Sequence, residues 1–141
     1  MNPLENLRSI AQSPYAYAQS STAKPFLGYF CSYVPEEIIT AAGAIPFRLF
    51  GTREDISLAD THLQSYCCSL VRGGLEDALA GRLDFLNGAV FPHTCDSIQR
   101  LSDIWRLNVG MDTHFDVVLP VKLTTESARS YMIAVLKNFR S

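Results

Sequence analysis

Residues Gly88-Ala89-Val90-Phe91-Pro92-His93-Thr94-Cys95-Asp96-Ser97-Ile98-Gln99-Arg100-Leu101 pass from an unbroken apolar run straight into a helical period. Gly88 to Phe91 is short and uniformly apolar, as expected of a strand covered on both faces. Thr94 or Asp96 can cap the helix that follows, in which Ile98, Leu101 and Ile104 or Trp105 recur on one side. A buried strand feeding directly into a helix is the repeating unit of an α/β fold.

The same alternation extends in both directions. Upstream, Phe26 to Cys31 reads as a buried strand, Pro35-Glu36-Glu37 opens a helix carrying Ile38, Ile39, Ala41 and Ala42, and Gly43 stops it. Ile45 to Phe50 is the next strand, ending at Gly51. After a polar stretch from Thr52 to Asp60, Cys68 to Ala80 places Val71, Leu75, Ala78 and Leu79 on one helical face, with Gly81 as its stop. Downstream, Phe115 to Val121 is a fourth strand. Thr124 caps a last helix, with Ala128, Tyr131, Met132, Val135, Leu136 and Phe139 in 3.6-residue phase. That helix is still in phase at Phe139, and Arg140-Ser141 offers no stop signal, so either the chain is one domain of something larger or its last helix frays.

This pattern predicts a three-layer α/β fold of the Rossmann or flavodoxin-like kind, with a mostly parallel four-stranded sheet flanked by helices. Residues 1–24 are polar and Ala/Ser-rich, with short helices broken at Pro14, and read as an N-terminal helical extension; 25–141 read as the α/β domain. No internal repeat or low-complexity segment interrupts them.

With 141 residues, 48% of them hydrophobic, the chain can bury one substantial core. A formal charge of −2 and the lack of a basic block give no electrostatic reason to expect nucleic acid as a partner. The N-terminal residues carry neither a basic region nor an apolar stretch, and no apolar run is long enough to span a bilayer. The expectation is a cytoplasmic protein with no membrane partner. Four cysteines in that setting point to free thiols, metal or redox chemistry before disulfides.

Cys68 and Cys95 stand out among them, because each falls where the chain enters the first turn of a helix. Free N–H groups and a partial positive charge there favour an anionic sulfur ligand. In sheets of this kind, sites form at the carboxyl ends of the strands, the edge to which Cys31, Pro35, Cys68 and Cys95 all map.

Three blocks then carry a resemblance. They are Gly28-Tyr29-Phe30-Cys31-Ser32-Tyr33-Val34-Pro35-Glu36-Glu37-Ile38-Ile39-Thr40-Ala41-Ala42-Gly43, Cys68-Ser69-Leu70-Val71-Arg72, and Cys95-Asp96-Ser97-Ile98-Gln99-Arg100-Leu101. In order and spacing they resemble the D-component family of 2-hydroxyacyl-CoA dehydratases, which also contains the benzoyl-CoA reductase cluster subunits. The resemblance covers about Gly28 to Trp105. It implies a subunit that carries a [4Fe-4S] cluster and receives an electron from an ATP-dependent activator protein. That electron reduces an acyl-CoA, at the thioester carbonyl in the dehydratases (lyases) or at an aromatic ring in the reductases (oxidoreductases). On matching positions, Cys68 and Cys95 correspond to two cluster cysteines, and Glu37 to the acidic residue of the family's Pro-x-Glu block.

Family subunits are much longer and draw a third cysteine from a second α/β domain, whereas no cysteine follows Cys95 here. Either the chain is an N-terminal fragment or truncated relative, inactive in isolation and completed by a second domain or homologous subunit, or Cys31 or Cys67 serves as a ligand. Two thiols alone would hold a cluster weakly. No Walker-type phosphate loop is present, so the ATP step would belong to another protein.

Each residue also has a plainer reading. Cys31 within an apolar strand is a core residue, and Cys67, next to Cys68 and pointing elsewhere, is structural or a spare thiol. Asp96 is a helix cap, Glu37 an acid favoured by the helix dipole, His93 polar surface, and Arg72 and Arg100 exposed helix residues in place of partners for CoA phosphates. Two rival functions share the fold: a double-cubane-cluster reductase of small molecules, needing further cysteines, and a non-catalytic α/β interaction domain without a cluster.

Overall fold

The computed structural model describes residues 2–20 and 24–141; residues 1 and 21–23, part of the expected N-terminal extension, lie outside the described residues. Four strands, β1 (Phe26–Tyr29), β2 (Ile45–Arg48), β3 (Gly88–Pro92) and β4 (Thr113–Val117), form one sheet in the order β2-β1-β3-β4, and every pairing is parallel. Two short helices, α1 (Pro3–Gln12) and α2 (Pro14–Ser20), precede the sheet. The helices α3 (Glu36–Ala41), α4 (Ser69–Leu79), α5 (Asp96–Asn108) and α6 (Glu126–Arg140) connect or follow the strands. Parallel neighbours require crossover connections, and α3, α4 and α5 supply them.

Strand pleating divides the core between the two faces of the sheet. Phe26, Ala89 and Phe91 point to one side, where Val71 and Leu75 of α4 and Ile98, Leu101 and Trp105 of α5 cover them. Tyr29, Val90 and Val117 point to the other, packed by Ile39 of α3 and by Val135 and Phe139 of α6. The result is the expected three-layer arrangement. The phase seen in α4 and α5 is therefore a buried face. Phe30, just past β1, is fully buried and stacks on Phe91, with Trp105 edge-on to both.

Several boundaries differ from the sequence reading, each for a local reason. β1 ends at Tyr29, short of Cys31, because Cys31 and Tyr33 adopt left-handed backbone (φ 54° and 70°) that cannot continue a strand. β4 occupies Thr113–Val117, not Phe115 to Val121: its ladder runs out where Val117 faces Pro92, the last residue of β3. Thr125, not Thr124, caps α6, its hydroxyl accepting from the Ala128 N–H at 3.2 Å. The N-cap of α5 is Cys95 itself, in place of Thr94 or Asp96. Gly43, Gly51 and Gly81 all hold positive φ, as stop signals do.

α1 is closed by a capping box, with Asn2 Oδ1 accepting from the Leu4 N–H and Glu5 Oε2 from the Asn2 N–H. It buries nothing, whereas α2 docks on the core through Ala18 and Tyr15. The Tyr15 hydroxyl donates to Asp77 Oδ2 at 2.8 Å, and Arg82 Nε to Asp77 Oδ1 at 2.6 Å. Burial, followed by the hydrogen bond to Asp77, holds the Tyr15 phenol in its neutral form well above the ordinary range. No helix among the described residues is long and apolar enough to cross a membrane.

Candidate functional site

In the order β2-β1-β3-β4, the connections leave β1 toward one side of the sheet and β3 toward the other. The carboxyl ends of β1 and β3 thus flank the topological switch point, where α/β sheets open a crevice. Cys31 follows β1, Cys95 lies at the head of the helix after β3, and Cys68 at the head of the helix that leads into β3. The fold brings these three thiols to one edge.

Their environments differ. Cys68 and Cys95 are exposed N-cap residues with extended backbone, and neither side chain caps its own helix. Each sulfur is thus left free beside a helix N-terminus. Cys31 is half-buried, not a core residue of a strand. Burial pushes its thiol up, and the charges of Cys95 and Cys68 push the same way, against a hydrogen bond with Thr94 and the pull of Arg48. Cys67 turns the other way and is buried in the core.

Among the described residues, no group of three or more His, Cys, Asp and Glu side chains is arranged to hold a metal ion. The donor chemistry of Cys68 and Cys95 suits a soft iron-sulfur centre, but the set is incomplete. Glu37 is exposed in the first turn of α3, while its neighbour Glu36 accepts from the Tyr29 hydroxyl at 2.5 Å. Burial and that bond raise the Tyr29 phenol to about 12. Arg72 is committed to Asp60 at 2.6 Å, leaving Arg100 to line a cleft of about 330 Å³ with Ser97, Gln99 and Tyr66 beside the head of α5.

Two polar clusters supporting this edge escaped the sequence reading. Glu76, 4% exposed, accepts from the backbone N–H groups of Ala59 (2.8 Å) and Ser57 (3.1 Å) and from the Ser57 hydroxyl (3.3 Å), pinning the loop that leads to Cys68. Burial alone would raise its carboxyl; the hydrogen bonds outweigh burial and hold it below the usual range. Asp116 of β4 gathers His93, Ser102 and Arg106 around its carboxylate. His93 is therefore not loose polar surface. Alternate polar residues at 114 and 116 of a strand were the available signal for the second cluster; Glu76, off the apolar phase of α4, gave none for the first.

Comparison with known proteins places this geometry in context. The family described as 2-hydroxyglutaryl-CoA dehydratase, D-component, matches residues 31–141. The (R)-phenyllactyl-CoA dehydratase beta subunit of Clostridium sporogenes is 27% identical over 130 residues, covering 90% of this chain and 35% of that protein. A benzoyl-CoA reductase subunit of Thauera aromatica is 36% identical over 93 residues, 64% of this chain and 24% of its own length. The beta subunit of (R)-2-hydroxyglutaryl-CoA dehydratase from Acidaminococcus fermentans is 28% identical over 108 residues, 74% of this chain and 28% of that protein. The chain spans about a third or less of the length of these relatives.

Proposed function

The chain belongs to the 2-hydroxyglutaryl-CoA dehydratase D-component family, and from that premise we propose that it forms the N-terminal part of an iron-sulfur subunit of the dehydratase and benzoyl-CoA reductase type. In this reading residues 25–141 are the α/β domain and 1–24 its extension. Cys68 and Cys95 supply two thiolate ligands to a [4Fe-4S] cluster. The remaining protein ligand comes from a second domain or a homologous subunit, with half-buried Cys31 or core-buried Cys67 as the internal alternative. The observation that carries the proposal is the pair of exposed, uncapped thiols at the heads of α4 and α5, beside the switch point.

The chemistry assigned to the protein follows from that placement. Unpaired N–H groups at the two helix N-termini would face the sulfurs and offset their negative charge without a basic side chain. A cluster bound there would supply the low-potential electron that acts on an acyl-CoA, delivered by an ATP-dependent activator in the cytoplasm. Glu37 would stand at the substrate side as an acid. Arg100, which shares its cleft with Asp96, would be a partner for the CoA phosphates in this reading.

A second reading rests on the incomplete donor set: a non-catalytic α/β interaction domain that has kept the fold and lost the cluster. Anaerobic reconstitution with iron and sulfide, iron and sulfide counts and EPR of the reduced protein separate the two, with Cys68→Ser and Cys95→Ser as variants. Loading of about four irons per chain, alone or with a second domain or partner added, and its loss in both variants, is the expected result. Failure to load in either setting, in a colourless and air-stable protein, favours the interaction domain.

A further inference from the structure

We propose that Asp116 is a positioning residue for Cys95, locking the end of β3, the loop 93–95 and helix α5 onto one carboxylate so that the thiol is held at the switch point. The proposal rests on the reading of Cys95 as a ligand and adds a residue that no sequence block contains.

The geometry is convergent. Asp116 lies on β4 opposite Phe91. Its Oδ1 accepts from His93 Nε2 at 2.9 Å, on the loop two residues before Cys95, and from the Ser102 hydroxyl at 2.5 Å. Its Oδ2 accepts from Arg106 Nη2 at 2.7 Å. Ser102 and Arg106 lie one turn apart on α5, the helix that Cys95 opens, and Ser102 is 1% exposed. Because the Ser102 proton goes to Asp116, its oxygen is free to accept from His114 Nε2 at 2.8 Å, and His114 stacks on Phe91. The backbone adds a second tie: the His93 N–H donates to the Val117 carbonyl at 2.9 Å.

Loop and helix therefore share one anchor. Cys95 has no side-chain hydrogen bond to cap its helix, so its place depends on what holds the residues either side of it. Groups that orient a ligand matter alongside the ligand itself, their removal typically weakening a metal site by about 10- to 100-fold. Bonds to a carboxylate from an arginine, a buried hydroxyl and an imidazole are of the charge-assisted, stronger kind.

The test reads the hydrogen bond that closes the first turn of α5 on Cys95 and needs no cluster, so a failure to load iron leaves it intact. The Gln99 N–H closes the first turn of α5 on the Cys95 carbonyl at 3.2 Å, and the Arg72 N–H closes the first turn of α4 on the Cys68 carbonyl at 3.1 Å. Residue-resolved amide exchange is measured by NMR on the metal-free chain for wild type, Asp116→Asn, His93→Ala and His93→Gln. In Asp116→Asn and His93→Ala, exchange at Gln99 is expected to speed up about tenfold, with Arg72 within about twofold of wild type. His93→Gln, which keeps an N–H donor near the Nε2 position, should restore Gln99 protection. Unchanged exchange at Gln99, equal acceleration at Gln99 and Arg72, or failure of glutamine to rescue would each overturn the proposal.

Discussion

Glu76 shows how much one side chain can decide. It sits among apolar residues of α4, yet its carboxylate replaces the missing partners of Ser57 and Ala59 where the chain turns through the short 3-10 segment Ala59–Thr61. Ala59 is itself fully buried, so its N–H has no access to water if the carboxylate is removed. An unsatisfied buried donor costs about 1 to 3 kcal/mol, and the Ala59 N–H bears that cost here, whereas exposed Ser57 can turn to water. Glu76→Ala should therefore lower the unfolding free energy by about 1 to 3 kcal/mol in urea denaturation. Limited proteolysis should show new cleavage near 57–59, in the loop that delivers Cys68. A loss under about 0.5 kcal/mol, the range of ordinary surface substitutions, would count against the loop-pinning role. The sequence could not disclose this. Five residues on from Val71, Glu76 falls outside the apolar phase of α4 and looks like an ordinary polar helix residue until the loop that it serves is in view.

Among the elements, α4 carries the tightest fit. Gly74 is buried against Phe30, and a Cβ built on it would lie 2.5 Å from Phe30 Cε1. Phe30 cannot retreat, because Phe91 stacks on one side and Trp105 meets it edge-on. Alanine ordinarily strengthens a helix relative to glycine by about 1 kcal/mol, so propensity and packing oppose each other here. Overpacking of about 1 to 3 kcal/mol should prevail, and Gly74→Ala is expected to reduce stability in urea melts; a gain would show that the ring can move. The elements themselves were legible because parallel strands buried on both faces leave uniform apolar runs, and the helices between them keep a 3.6-residue phase. The ends were less so. The stop of β1 before Cys31 depends on a left-handed turn of non-glycine residues, and the stop of β4 on where its partner strand ends. Neither is encoded in the segment's own composition. Thiols at helix heads were legible from position alone, whereas the half-buried state of Cys31 and the core burial of Cys67 required the assembled sheet.

For the molecule as a whole, the polar anchors set how the fold responds to acid. Three of them have ionisation displaced in the same sense. Burial disfavours the charged imidazolium of His114 and lowers its pKa from the ordinary 6.5, even though Asp116 pulls the other way. For Asp116 burial pushes upward, but the hydrogen bonds from Ser102 and His93 and the nearby imidazoles prevail and lower it from 3.8. Glu76 is lowered from 4.5 by its bonds to the 57–59 loop, against burial. A depressed folded-state value means that the unfolded chain takes up the proton first, so stability is full above the unfolded value and declines as the pH falls through the folded one. The decline should therefore begin below about pH 6.5 through His114 and continue below about 4.5 through the two carboxylates. Urea midpoints measured between pH 7.5 and 5.5 should fall in the wild type. His114→Gln, which can still donate to Ser102 and cannot titrate, should show a flatter profile over that interval. An equal fall in both proteins would place the acid sensitivity elsewhere. Because His114, Ser102 and Asp116 also tie down α5, acid should loosen the Cys95 edge of the sheet before it disturbs the face packed by α3 and α6, whose core is the cluster Tyr29, Val34, Ile39, Val90 and Val117. Amide exchange at Gln99, followed against pH beside that of Ile39, gives the order directly: Gln99 should lose protection at the higher pH.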